Sequence, residues 1–420
     1  MYSETSPQPD PTLAHRRGTA HVTLRRPDGE PLSDAEVTVE QTRHEFGFGC
    51  IGFDFLPLHN HELEPSGDEE RRLQSLGELW LDVFNWATLP FYWGRFEPER
   101  GQPHTEELRR TAEWFAGHGV RLKGHPLVWH TVGAKWLLDL STDEIERVQR
   151  ARIRRDVGDF AGLIDTWDAI NEVVIMPVVT AEDNGITRLA RKLGRIGTIR
   201  LAFEEARAAN PSATLLLNDF DMSSAYDTLI EGVLEAGIQI DAIGLQSHMH
   251  QGWWGEEKTA RVLEKFSRYG LPLHFTEMTL VSGELMPEEI VDLNDHVVDS
   301  WPTTAEGEAR QAEELEAHLR MLWAHPSVAS ATYWGISDVG AWLGAPAGLV
   351  RLDGTPKPAY DALRRLAKEE WWTPARTLRT DAEGRLLLEG WRGSYEIVAG
   401  GGLSATVELG ATSRHELTLR

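Results

Sequence analysis

The sequence predicts an α/β protein, a (β/α)8 TIM barrel carrying a small discontinuous β-sandwich formed by the N- and C-terminal segments. Three observations predict it. Through the middle of the chain, eight short apolar runs alternate with eight amphipathic stretches. Strands alternating with helices imply a parallel sheet, and eight such units in one chain imply a closed barrel. Asn, Gln, His, Glu and Trp gather just after those runs, where barrel enzymes carry their chemistry. Both ends of the chain instead alternate apolar with polar residues, as half-buried antiparallel strands do. The rival, a doubly wound open sheet, is expected to carry a GxGxxG turn after its first strand, and FGFGCIG lacks that spacing.

In chain order, residues 1–17 are polar and Pro-rich and read as a disordered lead-in. Within 18–45, the strands TAHVTLRR and AEVTVEQT flank PDGEPLSD, whose Asp-Gly pair has turn chemistry. The apolar runs lie at 46–52, 81–87, 120–129, 163–171, 213–218, 240–247, 271–277 and 328–335. The helical stretches lie near 69–80, 105–118, 142–160, 187–209, 224–236, 256–269, 306–324 and 358–369. The barrel therefore takes 46–371. Residues 372–420 return to alternating strands, among them RLLLEGW, SYEIVA, SATVELG and HELTLR. Neither end piece is large enough to be stable alone, so 18–45 and 372–420 are expected to combine in one sandwich.

Composition excludes several functions. With 42 Lys and Arg against 66 Asp and Glu, the formal net charge is −24, which disfavours nucleic acid or an anionic membrane surface as the main partner. No apolar stretch reaches the roughly 18 residues of a membrane span. The single cysteine, Cys50, rules out an intramolecular disulfide and a Cys-cluster metal site. The N-terminus has no apolar run of signal-peptide length, so the expected location is cytoplasmic, or secreted if a leader has been removed. No cofactor is called for. The chain holds 16 Trp against 7 Tyr and 13 Phe. Flat indoles with one N–H suit a wet, ring-shaped ligand, although each can equally well fill a core.

The strand ends give the candidate site. Asn85 ends the second run; His125, Trp129 and His130 the third; Asn171 and Glu172 the fourth; Asn218 and Asp219 the fifth. Gln246 and His248 end the sixth, Glu277 the seventh, and Trp334 with Asp338 and Trp342 the eighth. Asp219 and Asp338 read as structural caps, whereas Gln, His, Trp and Glu are poor N-caps. Glu172 and Glu277 stand out, because two carboxylates flanking an aromatic-walled cavity are what glycosidic bond cleavage needs. One must hold a proton for the leaving oxygen while the other is ionised.

The segments GHPLVWH (124–130), WDAINE (167–172), LNDFDM (217–222), GLQSHMH (244–250), FTEM (275–278), YWGISD (333–338) and LVRLDGTPKPAYDAL (349–363) resemble glycoside hydrolase family 10, the retaining endo-β-1,4-xylanase family. The flanking VTVEQTRHEFGFG and TDAEGRLLLEGWRGSYEIV resemble its plant-type, multidomain branch. The resemblance implies a retaining hydrolase of β-1,4-xylan or xylo-oligosaccharides. It implies Glu172 as acid/base, Glu277 as nucleophile, Asn171 on the sugar 2-hydroxyl, and His248 holding the nucleophile with Gln246 beside it. His125, Trp129, Trp334 and Trp342 would wall the cleaved subsite. One segment departs. In NWATLPFYWGRFEPERGQ (85–102), Trp93 and Glu97-Pro98 match, but Tyr92 takes the place of a sugar-binding Lys and the usual Glu and Asn are missing. Asn85 and Tyr92 are therefore carried as candidate binding residues, and a different β-glycan or a small glycoside stands as the alternative substrate.

Two other classes compete. His248-Met249-His250 and His59-Asn60-His61-Glu62 could serve a metal-dependent hydrolase, although no metal is assigned. A noncatalytic sugar-binding protein would have no use for the carboxylate pair. The expected partner is a neutral carbohydrate.

Overall fold

The computed structural model describes residues 10–60, 62–181 and 183–420. Two strands open it, β1 (Arg17–Arg25) and β2 (Glu36–His44). The barrel strands follow as β3 (Gly47–Ile51), β4 (Trp86–Pro90), β5 (Arg121–His125), β6 (Thr166–Asn171), β7 (Thr214–Asp219), β8 (Ala242–Met249), β9 (Leu273–Leu280) and β10 (Val328–Tyr333). They close in sequence order, with β10 pairing back onto β3, and every pairing is parallel. These strands are almost wholly buried because helices cover the barrel outside and side chains fill it inside.

A helix packs between each strand and the next. The helices at Asp68–Val83, Thr105–Gly117, Thr142–Asp159, Gly185–Ala209, Ser224–Glu235, Gly255–Ser267, Ala305–Ala324 and Pro358–Arg365 match the eight amphipathic stretches. Local chemistry starts several of them. Ser141 and Glu144 form a capping box, and Asn184, Ser223 and Thr304 each accept a backbone N–H at their helix start. Among the described residues no helix is long and apolar enough to cross a membrane.

The remaining strands are β11 (Arg376–Arg379), β12 (Arg385–Trp391), β13 (Gly393–Ala399), β14 (Ser404–Leu409) and β15 (Thr412–Thr418). One sheet has the order β12-β1-β15 and the other β11-β2-β13-β14, so each sheet draws one strand from the N-terminal end. Their alternating apolar positions, among them Val22, Leu24, Val37, Val39, Leu388, Tyr395 and Ile397, meet in a separate core.

Two sequence expectations need correction. Residues 10–17 are ordered, not a disordered lead-in; residues 1–9 lie outside the described part. Pro11–Arg16 form a 3-10 turn capped by Asp10, and Arg16 donates to the carbonyls of Trp323, His325 and Val328 at 2.9, 3.0 and 2.7 Å. That guanidinium also lies over the Phe46 and Trp323 rings, which is what orders the segment. The second apolar run, 81–87, is not one strand. Its first half ends the helix at Val83 and β4 begins at Trp86, because helix end and strand start are both buried.

Several tryptophans join sandwich to barrel. Trp323 and Trp371 stack at 4.6 Å with planes 9° apart, and Trp391 meets Trp323 edge-on at 5.5 Å. Trp371 and Trp391 are buried and Trp372 meets His44 at 5.1 Å, so these rings pack rather than offer a sugar platform. Trp371→Ala is expected to cost about 3–5 kcal/mol in urea unfolding, while turnover per folded molecule stays within twofold of the parent.

Candidate active site

The site is built at the carboxyl ends of the strands. Glu172 follows β6 directly, with φ at +57°, and its N–H donates to Asn218 O at 2.9 Å. This left-handed backbone turns the carboxyl group inward. Its Oε2 accepts from Trp129 Nε1 at 2.8 Å, and its Oε1 from Gln246 Nε2 at 3.2 Å and Asn171 Nδ2 at 3.3 Å. Burial first, then the negative charge of Glu277, push the Glu172 carboxyl up to about 8. His130 Nε2 lies 3.9 Å away, but burial drives that imidazole down to about 4, so it gives no cationic relief.

Glu277, inside β9, is treated oppositely. Oε1 accepts from Asn218 Nδ2 at 2.9 Å and Oε2 from His248 Nε2 at 3.2 Å. Burial pushes it up, but His125, the His248 hydrogen bond and buried Lys123 together outweigh burial and hold it below the usual carboxylate range. Asn218 Nδ2 also donates to Asn171 Oδ1 at 2.7 Å, while Asn218 Oδ1 accepts from Thr276 Oγ1 at 2.6 Å. A glycine must sit beside it. A Cβ on Gly244 would stand 2.3 Å from Asn218 Oδ1.

Beneath lies a buried ionic group. Lys123 Nζ and His125 Nδ1 both donate to Asp168 Oδ2 at 2.7 Å. His125 Nε2 is buried without a hydrogen-bond partner. Aromatic rings surround the carboxylates. Trp334 meets His125 at 5.1 Å and His248 at 6.2 Å, and Trp342 meets His248 at 4.9 Å.

Of the candidate residues, Glu172, Glu277, Asn171, His125, Trp129, Gln246, His248, Trp334, Trp342 and Tyr92 converge here. Asn85 does not. It precedes β4, at the opposite end of the barrel, where Nδ2 donates to the carbonyls of His44 and Phe46 at 3.2 and 3.0 Å. The misplacement follows from reading 81–87 as one strand. Asp338 is structural, paired with Lys357 at 2.7 Å, and Asp219 accepts from the Val174 and Asp221 N–H groups at 3.1 Å. Sequence reasoning passed over Lys123, Asp168, Thr276 and also Phe53, whose ring meets Tyr92 at 5.7 Å and Trp334 at 5.8 Å, as site residues. The first two carried a signal, since a charge inside an apolar strand must find a partner. His248 faces Glu277 rather than a metal-binding group, and His61 lies outside the described residues. Among the described residues no cluster of three or more His, Cys, Asp or Glu is arranged to hold a metal ion.

A TIM barrel with two carboxyl groups at its mouth whose pKa values are pushed apart, among neutral donors and tryptophans, has the arrangement of a glycoside-hydrolysing enzyme. Comparison with known proteins agrees. The profile of glycosyl hydrolase family 10 matches residues 90–366, and the chain belongs to that family. Endo-1,4-beta-xylanase B of Thermotoga neapolitana is 26% identical over 294 residues, covering 66% of this chain and 78% of the relative. Endo-1,4-beta-xylanase 2 of Arabidopsis thaliana is 23% identical over 409 residues, covering 92% of this chain and 33% of that one. The crystal structure of native xylanase 10B from Thermotoga maritima shares the fold, with a TM-score of 0.62 and 22% identity over 78% of this chain and 96% of that one.

The opposed shifts give an expected pH profile for a Glu172 acid and a Glu277 nucleophile. An acid near 8 keeps its proton at neutral pH and loses it above, so kcat/KM for an aryl glycoside should fall as pH rises through about 8. A Glu277 that works ionised, with its carboxyl held low, should put the acidic limb below the ordinary glutamate range. The Trp129 hydrogen bond lowers the Glu172 value, so Trp129→Phe should move the alkaline limb to higher pH. An unmoved limb would contradict the contact.

Proposed function

We propose that the protein hydrolyses β-1,4-xylan or xylo-oligosaccharides with net retention at the anomeric carbon. The observation that carries this reading is the split carboxylate pair, Glu172 pushed up to about 8 and Glu277 held low. Protonated Glu172 gives its proton to the glycosidic oxygen as Glu277 attacks the anomeric carbon. The C–O bond breaks, the leaving sugar departs with the proton, and a glycosyl ester forms on Glu277. That ester removes the negative charge beside Glu172, whose pKa then falls. Glu172 can now take a proton from the incoming water, whose oxygen attacks the same carbon and frees Glu277.

The other polar groups have roles that follow from their bonds. His248 and Asn218 hold Glu277 at both oxygens and fix its direction of attack. Asn171 is tied by Asn218 and Gln246 at Oδ1, which turns its Nδ2 toward Glu172 and leaves that amide group as the donor for a sugar 2-hydroxyl. The names of the relatives support xylan as substrate. A different β-glycan or a small glycoside is the second reading, favoured by the Tyr92 ring where the family resemblance places a lysine.

NMR of fresh digests should show the β-anomer forming first, with α appearing only by mutarotation; α first would reject retention. Glu277→Gln should lower turnover by about a thousandfold or more with the fold unchanged in circular dichroism.

A further inference from the structure

Beyond Glu172 the chain runs irregularly to the next helix. β6 ends at Asn171 and that helix begins at Gly185; among the described residues the 3-10 turn Met176–Val178 is the regular piece between them. The stretch is nonetheless tied down from two sides. From the barrel, Asn218 O accepts the Glu172 N–H at 2.9 Å, and Asp219 Oδ2 accepts the Val174 N–H at 3.1 Å. From the helix, Arg195 Nε donates to Val174 O at 2.7 Å. Arg191 adds bonds to Pro177 O at 2.9 Å and Val179 O at 2.7 Å. Val174 is buried two residues past Glu172, and it is gripped at its N–H by Asp219 and at its C=O by Arg195.

These arginines behave unlike their neighbours. Arg188 and Lys192 on the same helix pair with carboxylates, as a solvated charged face does. Arg191 and Arg195 give their N–H groups to backbone carbonyls instead. The helix also breaks at Gly194, where φ is +69° and ψ 170°, so the chain changes direction just before Arg195. Glycine takes that conformation without strain.

The grip bears on the chemistry through the backbone of Glu172. Its φ of +57° is a conformation that a residue with a side chain holds only where its surroundings over-determine it. The bonds from Asn218, Asp219 and Arg195 do so here. Glu277 sits on β9 and is held separately, by the side chains of Asn218 and His248. Loosening Val174 should therefore let the Glu172 carboxyl drift while Glu277 stays in place. A reacting group misplaced by about 1 Å can lose some two orders of magnitude in rate.

We infer, given the hydrolase reading above, that Arg195 is a positioning residue for the acid/base: with Asp219 it clamps Val174 and so holds the Glu172 carboxyl at the leaving oxygen. Arg195 acts through the backbone and not on the substrate.

The test compares leaving groups. Dinitrophenolate departs without a proton and phenolate needs one, so kcat/KM on the two aryl β-xylobiosides separates the acid from the rest of the site. Arg195→Met keeps the apolar stem and gives up the N–H donors. It should lower kcat/KM on the phenyl substrate by roughly tenfold to a hundredfold and leave the 2,4-dinitrophenyl value within about threefold. Glu172→Ala should show the same bias in larger measure. Arg188→Met, whose bonds go to Asp183 and Leu138 O, should match the parent on both substrates. Should Arg195→Met fail to fold, Arg195→Gln is read in the same way. Equal losses on both substrates in a folded variant, or a loss on neither, overturn the clamp. A parent enzyme that cleaves neither aryl glycoside, or a Glu172→Ala variant without the bias, removes the hydrolase reading itself and the inference with it.

Discussion

The side chain of Asn218 is the point on which the site depends. Its amide nitrogen serves Glu277 and Asn171 at once, and its oxygen is held by Thr276. One planar group from β7 thereby fixes Glu277 of β9 against the asparagine that precedes Glu172 after β6. The strand order makes this feasible, because β7 lies between β6 and β8 and β8 carries the gap at Gly244 into which the amide fits. A buried amide with its hydrogen bonds made cannot rotate without leaving polar atoms stranded, which costs more than the bonds themselves contribute. Rigidity at the two carboxylates is thus inherited from barrel closure.

The same barrel keeps two neighbouring carboxyl groups chemically different. Glu277 is buried and Glu172 keeps only 13% of its side chain exposed, so solvent exposure does little to distinguish them. What differs is the partner set. Glu277 faces His248 and lies within the field of the Lys123–Asp168–His125 group, while Glu172 meets neutral donors and an uncharged His130. Lys123 and Asp168 nearly cancel each other as a pair, yet with His125 bonded to the same carboxylate oxygen the group retains a positive bias toward Glu277. Asp219 adds to the contrast. Burial pushes it up to about 7, and its charge is among those raising Glu172.

Much of this was legible in the sequence, for physical reasons. Barrel strands buried on both faces must be apolar throughout, so 213–218 and 240–247 announce themselves, and the polar residue that ends each one marks the mouth. Glu172 and Glu277 follow from that rule. The rule failed at 81–87, where a buried helix end runs into a buried strand and periodicity shows no seam, and Asn85 was sent to the wrong end of the barrel. Phe53 was unreadable for another reason: a phenylalanine after an apolar run looks like core until its contacts with Tyr92 and Trp334 are known. Tryptophan was ambiguous throughout. Trp129, Trp334 and Trp342 stand at the mouth, while Trp323, Trp371 and Trp391 close the opposite end.

Glu172 occupies left-handed backbone, which favours glycine and costs a side-chain-bearing residue roughly 1–2 kcal/mol. A position of this kind sets folding and chemistry against each other. Random replacement that improves stability there would run toward glycine, and each such step would erase the carboxyl group proposed as proton donor. Screens for heat tolerance alone should therefore favour glycine at residue 172, and on the proposed mechanism those variants would lose turnover as they gain stability.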